Sequence, residues 1–473
     1  MTPSKRYTER SKDVRIAVCV KIVDGEINPF DECALEEALR ITDAEVFAVS
    51  MCPQSAAEKL RSLTRLGVKE VYLLSDKLYA GSDTLATAYI LSEFLKKQKF
   101  DCVFCGRQTI DGDTAQVGPC LATLLGIGLI TNVMKICSID ETAVCETRLG
   151  HMSVPLPALL TIERINTLRF PSIRSKLGEI TVLNNSQVGA DRNKCGLSGS
   201  ATRVLKTFEN SAGKRKCKFI KPCEFLNILS ELKQSGKKNI KITESDKKLP
   251  YVIAIGDDAA KKACEVADKV ETIYENDPFV IAGIIKKKAP PAVLWNADLV
   301  GRRNAPVAAA LINAGLCADC TALETDGETL YMYRPARGGN IIAKIMCITP
   351  VQMATVRCAE PSDDIIVSGG RGVAEDFDKI HALAKKIGAE VGASRAVIDK
   401  NVISYEAQIG LTGKSVSPKI YIAIGISGAV QHTCAIENSD FIIAINPDAS
   451  APIFEYADYG IVITFDEFLS KMQ

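Results

Sequence analysis

The sequence predicts an α/β protein of three domains built on parallel sheets, two of them related α/β units and the third a separate C-terminal α/β unit. Three observations carry this. Short, continuous apolar runs alternate with helical segments from residue 14 onward. One strand–polar loop–small-residue-helix pattern occurs twice. Glycine turns follow strands in the last third of the chain. A length of 473 residues suits about three domains of ordinary size.

VRIAVCVKIV opens the first unit at residues 14–23, followed by the helical DECALEEALR at 31–40 and the strand AEVFAVS at 44–50. A helix is expected from Ser55 to Leu66, then the strand EVYLL, a long helical stretch to Lys97, and the strand DCVFCG. Apolar strands separated by helices mark a parallel sheet covered on both faces. Ligands of such sheets bind at the carboxyl ends of the strands, so the loops after each strand are the candidate sites. Past Phe170 the pattern degrades, and residues 171–249 read as an extended arm and linker. The basic stretches Lys214–Lys221 and Lys237–Lys248 are expected to be solvated faces. PYVIAIG (250–256) starts a second unit, and DDIIVSGGRG (363–372) starts a third. The expected divisions are therefore 14–170, 171–249, 250–360 and 361–473.

CVFCGRQTIDGDTAQVGPCLATLLGIGL in the first unit has a counterpart in AVLWNADLVGRRNAPVAAALINAGL in the second, which suggests a duplication. The first loop carries Asp111, Asp113, Thr114 and Gln116, the second Asp298, Arg302 and Arg303. A duplicated nucleotide fold can keep its site in one copy only, and the first copy is the expected one.

Composition narrows the function. A net charge of +1 gives no polyanion footprint, which argues against nucleic acid or an anionic membrane as the main partner. No apolar run approaches the roughly 20 residues of a membrane span. The leading MTPSKRYTERSKD lacks the features of a signal or transit peptide, and a cytoplasmic protein is expected. Most of the 17 cysteines sit in apolar patterns, as do Cys19, Cys102 and Cys347, where the thiol behaves as a small hydrophobe. The pairs Cys102/Cys105 and Cys317/Cys320 have no histidine beside them and read as structural, so no metal site is expected. A metal-dependent hydrolase or ligase built on Asp111 and Asp113 lacks the P-loop that would hold its phosphates.

In the last third, SGGRG is a strand–turn–helix junction where glycines let a ligand approach the backbone and helix amides face a phosphate. GASRA, QIGLTGK and GISGAVQH follow, then APIFEYADYGIV. Taken in this order, with ADCTAL and RPARGGNIIAKI upstream, these segments resemble the alpha subunit of electron-transfer flavoproteins over residues 250–473. INPFDECALEEALR, GSDTLATA, CGRQTIDGDTAQVGP, VPLPALLTIERINTLRFPSIR and GLSGSATRVLK resemble the beta subunit of the same family over residues 14–235.

The resemblance implies a fused beta–alpha electron carrier whose C-terminal flavodoxin/Rossmann-like domain holds FAD. It implies that Arg371, in the turn with Gly372, lies over the flavin and that Ser394 and Arg395 flank it. The loop Gln408, Ile409, Gly410, Leu411, Thr412 and Gly413 would pass the isoalloxazine, with the Thr412 hydroxyl near the reactive nitrogen. Ser427, Gly428, Ala429, Val430, Gln431 and His432 would hold the pyrimidine end and diphosphate. Asn446 would meet the adenosine part, with Asp448 in the same cofactor set. A cation such as Arg371 or a charged His432 beside the pyrimidine would favour reduced flavin.

The beta-like unit is implied to hold a second nucleotide, AMP or a second FAD, among Cys19, Asn28, Phe30, Asp31, Met51, Gly106, Asp113, Thr114, Gln116, Val117 and Gly118. The form DGDTAQVGP resembles members that bifurcate electrons. NADH would then reduce the second FAD, one electron passing to ferredoxin or flavodoxin and one through the other flavin to an acyl-CoA dehydrogenase-like flavoprotein. The sequence departs from the family at Leu411, where many members have glutamine, at Thr464-Phe465 in place of Asp-Leu, and at Arg337 in place of an aromatic. The docking segment PSIRSKLGEI is shorter and less basic than usual and keeps Ile173 as an apolar anchor.

Overall fold

In the computed structural model, residues 14–209, 214–235, 247–339, 341–357, 364–400, 402–410 and 413–472 are described. The chain divides into two compact units. The first comprises residues 1–207, 245–337 and 343–356, and the second residues 208–244, 338–342 and 357–473. The two sheets expected in separate N-terminal and middle domains thus belong to one unit.

The larger sheet of the first unit has nine strands. Its parallel heart runs Glu70–Leu74, Ala44–Met51, Val14–Cys19, Cys102–Gly106, Ala158–Ile162 and Gly128–Ile139. Strand order reverses at Val14–Cys19, with one neighbour to each side, so the loops that follow it and Cys102–Gly106 diverge and open a crevice. The second sheet runs Val270–Ile273, Val252–Ile255, Ala292–Asn296, Gln352–Val356 and Gly315–Cys320. With the extra Glu70–Leu74 strand set aside, the other five strands of the parallel heart and the five strands of the second sheet take the same order, 2-1-3-5-4 when numbered along the chain. This is the duplication expected from sequence, now visible as topology. The copies meet along Val117–Leu125 and Leu299–Ile312, where the Cys120 thiol reaches the Pro306 carbonyl at 3.4 Å and the Gln116 amide donates to the Leu316 carbonyl at 3.2 Å.

The second unit carries six parallel strands in the order Lys218–Phe219, Tyr459–Val462, Phe441–Asn446, Ile420–Ile424, Ile365–Gly369, Glu390–Ala393. Its reversal point lies at Ile365–Gly369.

Segments expected as arm, linker and solvated charge are more integrated than that. Thr181–Leu183 adds an edge strand to the nine-stranded sheet. Helix Phe225–Gln234 buries Phe225, Leu229 and Leu232, an i, i+4, i+7 stripe, in the core of the second unit. Arg215, in the basic run, pairs with Asp458 and donates to the carbonyls of Asp440 and Glu437 at 3.0 and 3.2 Å. Its planar fork meets several acceptors that a solvated cation would leave to water. Most of Lys237–Lys248 lies outside the described residues. The helix expected over Ser55–Leu66 is broken: only Ala57–Arg61 is α-helical, between 3-10 turns. No described helix is long and apolar enough to cross a membrane.

Candidate functional site

The crevice of the nine-stranded sheet deepens into a cavity of about 860 Å³. Cys19, Asp31, Met51, Gly106, Thr114, Gln116, Val117 and Gly118 all line it, as the sequence led us to expect. Asn28, Phe30 and Asp113 do not. The Asn28 amide is buried and bridges the Gln108 carbonyl (2.9 Å) and the Ile110 N–H (3.2 Å), so it shapes the loop from behind. Phe30 lies under the Arg107 guanidinium at 5.6 Å. The Asp113 carboxylate accepts from the Gln108 amide at 3.0 Å.

Asp31 fastens the crevice. One carboxylate oxygen accepts from the Lys21 N–H at 2.8 Å and the other from the Gly106 N–H at 3.0 Å, tying together the loops on either side of the reversal point. Burial pushes its pKa up to about 7, against the opposing pull of those N–H donors and of the Lys21 charge. Gly106 is required here, since a Cβ would stand 2.4 Å from an Asp31 oxygen. Lys21 reaches Asp111 at 2.6 Å across the mouth. Asp113 and Ala115 take positive φ, which turns the loop into helix Val117–Leu125 and brings the helix start to the cavity wall.

Sequence reasoning missed the other wall. Ser75 to Thr84, with Thr87 and Leu91, forms the far side, together with Val49 and Leu74. Its signal was present in GSDTLATA, which was read as a family mark and not as a site. Lys21 and Arg107 were also missed, although both line the cavity. At the corresponding strand ends of the second copy, the Asn296 side-chain oxygen accepts from the Ala259 N–H at 2.9 Å, and a Cβ on Gly256 would strike that side chain. Asp298 there caps its own helix at Gly301, and Arg302 pairs with Asp319 at 2.9 Å.

In the second unit, the turns after Ile365–Gly369 and Ile420–Ile424 lie against each other. A Cβ on Gly370 would sit 2.1 Å from the Gly425 carbonyl oxygen, and one on Gly428, at φ +90°, would sit 2.1 Å from the Ile453 nitrogen. Such close backbone approach at a reversal point is what a dinucleotide site requires. Arg371 and Gly372 are exposed in the first turn. The segment after it is a kinked 3-10 turn, and the α-helix starts only at Phe377, later than the sequence suggested. Ser394 stands at the N-cap position of the short helix that begins at Arg395 without a side-chain capping bond, and Arg395 reaches Asp399 at 3.3 Å. Gln408 and Ile409 are buried, Gly410 sits at φ +150° against the Gln431 carbonyl, and Gly413 closes the loop against Gln408. Leu411 and Thr412 lie outside the described residues. Ser427, Ala429 and Gln431 are exposed, Val430 is half-buried and His432 is buried.

Of the two cations considered for the pyrimidine edge, Arg371 or a charged His432, the second is not charged in the folded chain: burial holds its pKa down to about 4, against a smaller pull from the Ile409 backbone, so the ring is neutral at pH 7. The Asn446 amide donates to the Ile426 carbonyl and its oxygen accepts from the Asp448 N–H, both at 2.9 Å. It therefore pins the Gly425–Ala429 turn, while Asp448 folds its own loop through Ser450. Thr464 caps the last helix, and Phe465 joins the core.

The residues fit FAD: Ser394 Oγ and His432 Nδ1, each past the end of a parallel strand, are buried polar atoms without partners of hydrogen-bond geometry among the described residues. Comparison with known families agrees. The electron transfer flavoprotein FAD-binding domain matches residues 361–437, and the electron transfer flavoprotein domain matches residues 16–187 and 241–363. The chain belongs to the electron transfer flavoproteins. An electron transfer flavoprotein subunit alpha from Thermoanaerobacterium thermosaccharolyticum is 40% identical over 229 residues, covering 38% of this chain and 69% of the relative. The subunit beta of that organism is 42% identical over 215 residues, covering 42% and 83%. A lactate dehydrogenase (NAD(+),ferredoxin) subunit LctC from Acetobacterium woodii is 36% identical over 282 residues, covering 47% and 67%. Beta-like and alpha-like sequences are thus fused in one electron transfer flavoprotein, beta first. When bound, FAD supplies the capacity to take up and release electrons singly or in pairs. The protein's part is to bind and orient it and to hold neighbouring protons in place.

Proposed function

We propose that this flavoprotein bifurcates electrons from NADH, using a second FAD in the N-terminal cavity. The cavity carries the reading: at about 860 Å³ it is near the top of the roughly 300–1,000 Å³ span of small-molecule sites and has room beyond a mononucleotide. The DGDTAQVGP loop at its wall and the kinship to a subunit named for NAD and ferredoxin support it. One electron would pass to a ferredoxin- or flavodoxin-type acceptor, the other by way of the C-terminal FAD to an acyl-CoA dehydrogenase-like flavoprotein. The cofactor contacts assigned above to Arg371, Ser394, Gln408–Gly413 and Ser427–His432 belong to the same proposal. So do a cytoplasmic setting, consistent with the thiol-rich composition, and docking of the dehydrogenase at Phe170 and Ile173, which are 95% and 99% exposed.

The test is nucleotide content after denaturation of the purified chain. Two FAD and no AMP per chain, with bleaching of the flavin by NADH, is the expected result. One FAD and one AMP would reduce the protein to a simple carrier for acyl-CoA-type dehydrogenases. No flavin after reconstitution with FAD would instead indicate a nucleotide-binding protein without redox function.

A further inference from the structure

Behind His432 the second unit contains a buried tyrosine that no cofactor-contact assignment uses. Tyr421 is the second residue of the strand Ile420–Ile424 and has no exposed surface. Its register partner on the neighbouring strand is Ile366, and Ser368, two residues on, is on the same face of the sheet. The Tyr421 hydroxyl lies 2.8 Å from Nε2 of His432, itself 6% exposed. The two rings are tilted by 55° with centroids 6.0 Å apart, so they meet at their edges.

Burial favours the neutral form of both groups, lowering the proton affinity of the imidazole and raising that of the phenol. Two neutral partners can share the hydrogen bond in two ways. Either the phenol donates to a bare Nε2, or a protonated Nε2 donates to the phenolic oxygen. His432 is the partner of hydrogen-bond geometry that the Tyr421 hydroxyl has among the described residues. A phenol that donates to Nε2 places its only proton in that bond, whereas the reverse order would leave the buried phenolic O–H without an acceptor. The imidazole proton then sits on Nδ1, which has no partner of hydrogen-bond geometry among the described residues and feels the backbone of Ile409 in the QIGLTGK loop. Buried donors without an acceptor are rare in folded proteins.

We propose that Tyr421 is a positioning residue for the flavin: by donating to Nε2 it fixes His432 as the neutral Nδ1–H tautomer and offers that N–H to an acceptor edge of the bound isoalloxazine. The inference rests on the FAD reading of this crevice and adds a residue that need not touch the cofactor. It assigns His432 a donor's role in place of a cation's.

The chain has only three histidines, so histidine labelled with ¹⁵N in the full-length protein gives three imidazoles to assign. In the FAD-loaded protein at pH 7, His432 should show a protonated Nδ1 and an unprotonated Nε2. In Tyr421→Phe the proton should move wholly or partly to Nε2, with FAD binding about tenfold weaker, the cost of one misdirected hydrogen bond. An Nε2–H or doubly protonated His432 in the unaltered chain would overturn the proposal, even if the variant does not fold. An unchanged tautomer in folded Tyr421→Phe would also overturn it. Absence of FAD binding by the unaltered protein would sink the FAD reading instead, because the tautomer can be read without the cofactor.

Discussion

Asp31 and His432 are buried titratable groups in different units of the chain, and burial moves their pKa values in opposite directions. The His432 pKa is about 4 in the folded chain against 6.5 as its ordinary value. Unfolding between these pH values therefore takes up a proton, so stability rises with pH through this window and is lost as pH falls from 6.5 toward 4. The Asp31 carboxyl, raised from 3.8 to about 7, works the other way: its contribution is full below 3.8 and is lost as pH rises through about 7. Glu437 in the same unit, raised to about 7 by burial, acts in the opposite sense to His432 over this range. The test is therefore a difference: as pH falls from 7 to 5, the urea midpoint of the second unit should shift upward in His432→Gln relative to the unaltered chain. A difference that stays constant over that range would mean that His432 does not contribute. None of these shifts was legible in the sequence. His432 was found by its motif, but its charge state depends on burial and on the Ile409 backbone, which are set only by folding.

Turns after strands were the most legible elements, because glycine and apolar runs are local signals. The structure adds the reason that particular glycines are needed. Gly428→Ala places a Cβ at positive φ against the Ile453 backbone, and the variant should lose C-terminal flavin, read as visible absorbance per chain. Gly106→Ala pushes against Asp31 and the Phe30 backbone. It should empty the N-terminal cavity while the C-terminal flavin stays, as measured by nucleotide release. Retention of both nucleotides would show that these backbones give way. Among the elements read as linker, Arg215 holds Asp458 and carbonyls of the Glu437–Asp440 segment. Arg215→Ala removes a mostly buried cation from several acceptors and should destabilise the second unit by roughly 2–4 kcal/mol, checked by its urea midpoint. A run of basic residues looks the same in sequence whether or not acceptors await it, so this anchor was invisible there.

For the whole molecule, the fused chain carries a duplicated α/β scaffold in one unit and a separate FAD-binding unit. The duplication was visible in one strand–loop–helix segment, and the shared strand order extends it across both sheets. If Ile173 serves docking, Ile173→Asp should slow electron exchange with an acyl-CoA dehydrogenase at least tenfold and leave flavin content unchanged. Equal rates would locate docking elsewhere. By itself, the sequence determined the family, the parallel-sheet class and the C-terminal FAD-binding domain. These depend on local patterns: apolar runs, glycine turns and the ordered motifs after each strand. Only the tertiary structure decided which side chains line the cavity and which are taken up by hydrogen bonds within the protein, as Asn28, Asp113 and Asn446 are. Only it supplied the Ser75–Thr84 wall and the neutral state of His432. A side chain's partners and its exposure to water are set by residues distant in the chain, and the spacing of a motif does not contain them.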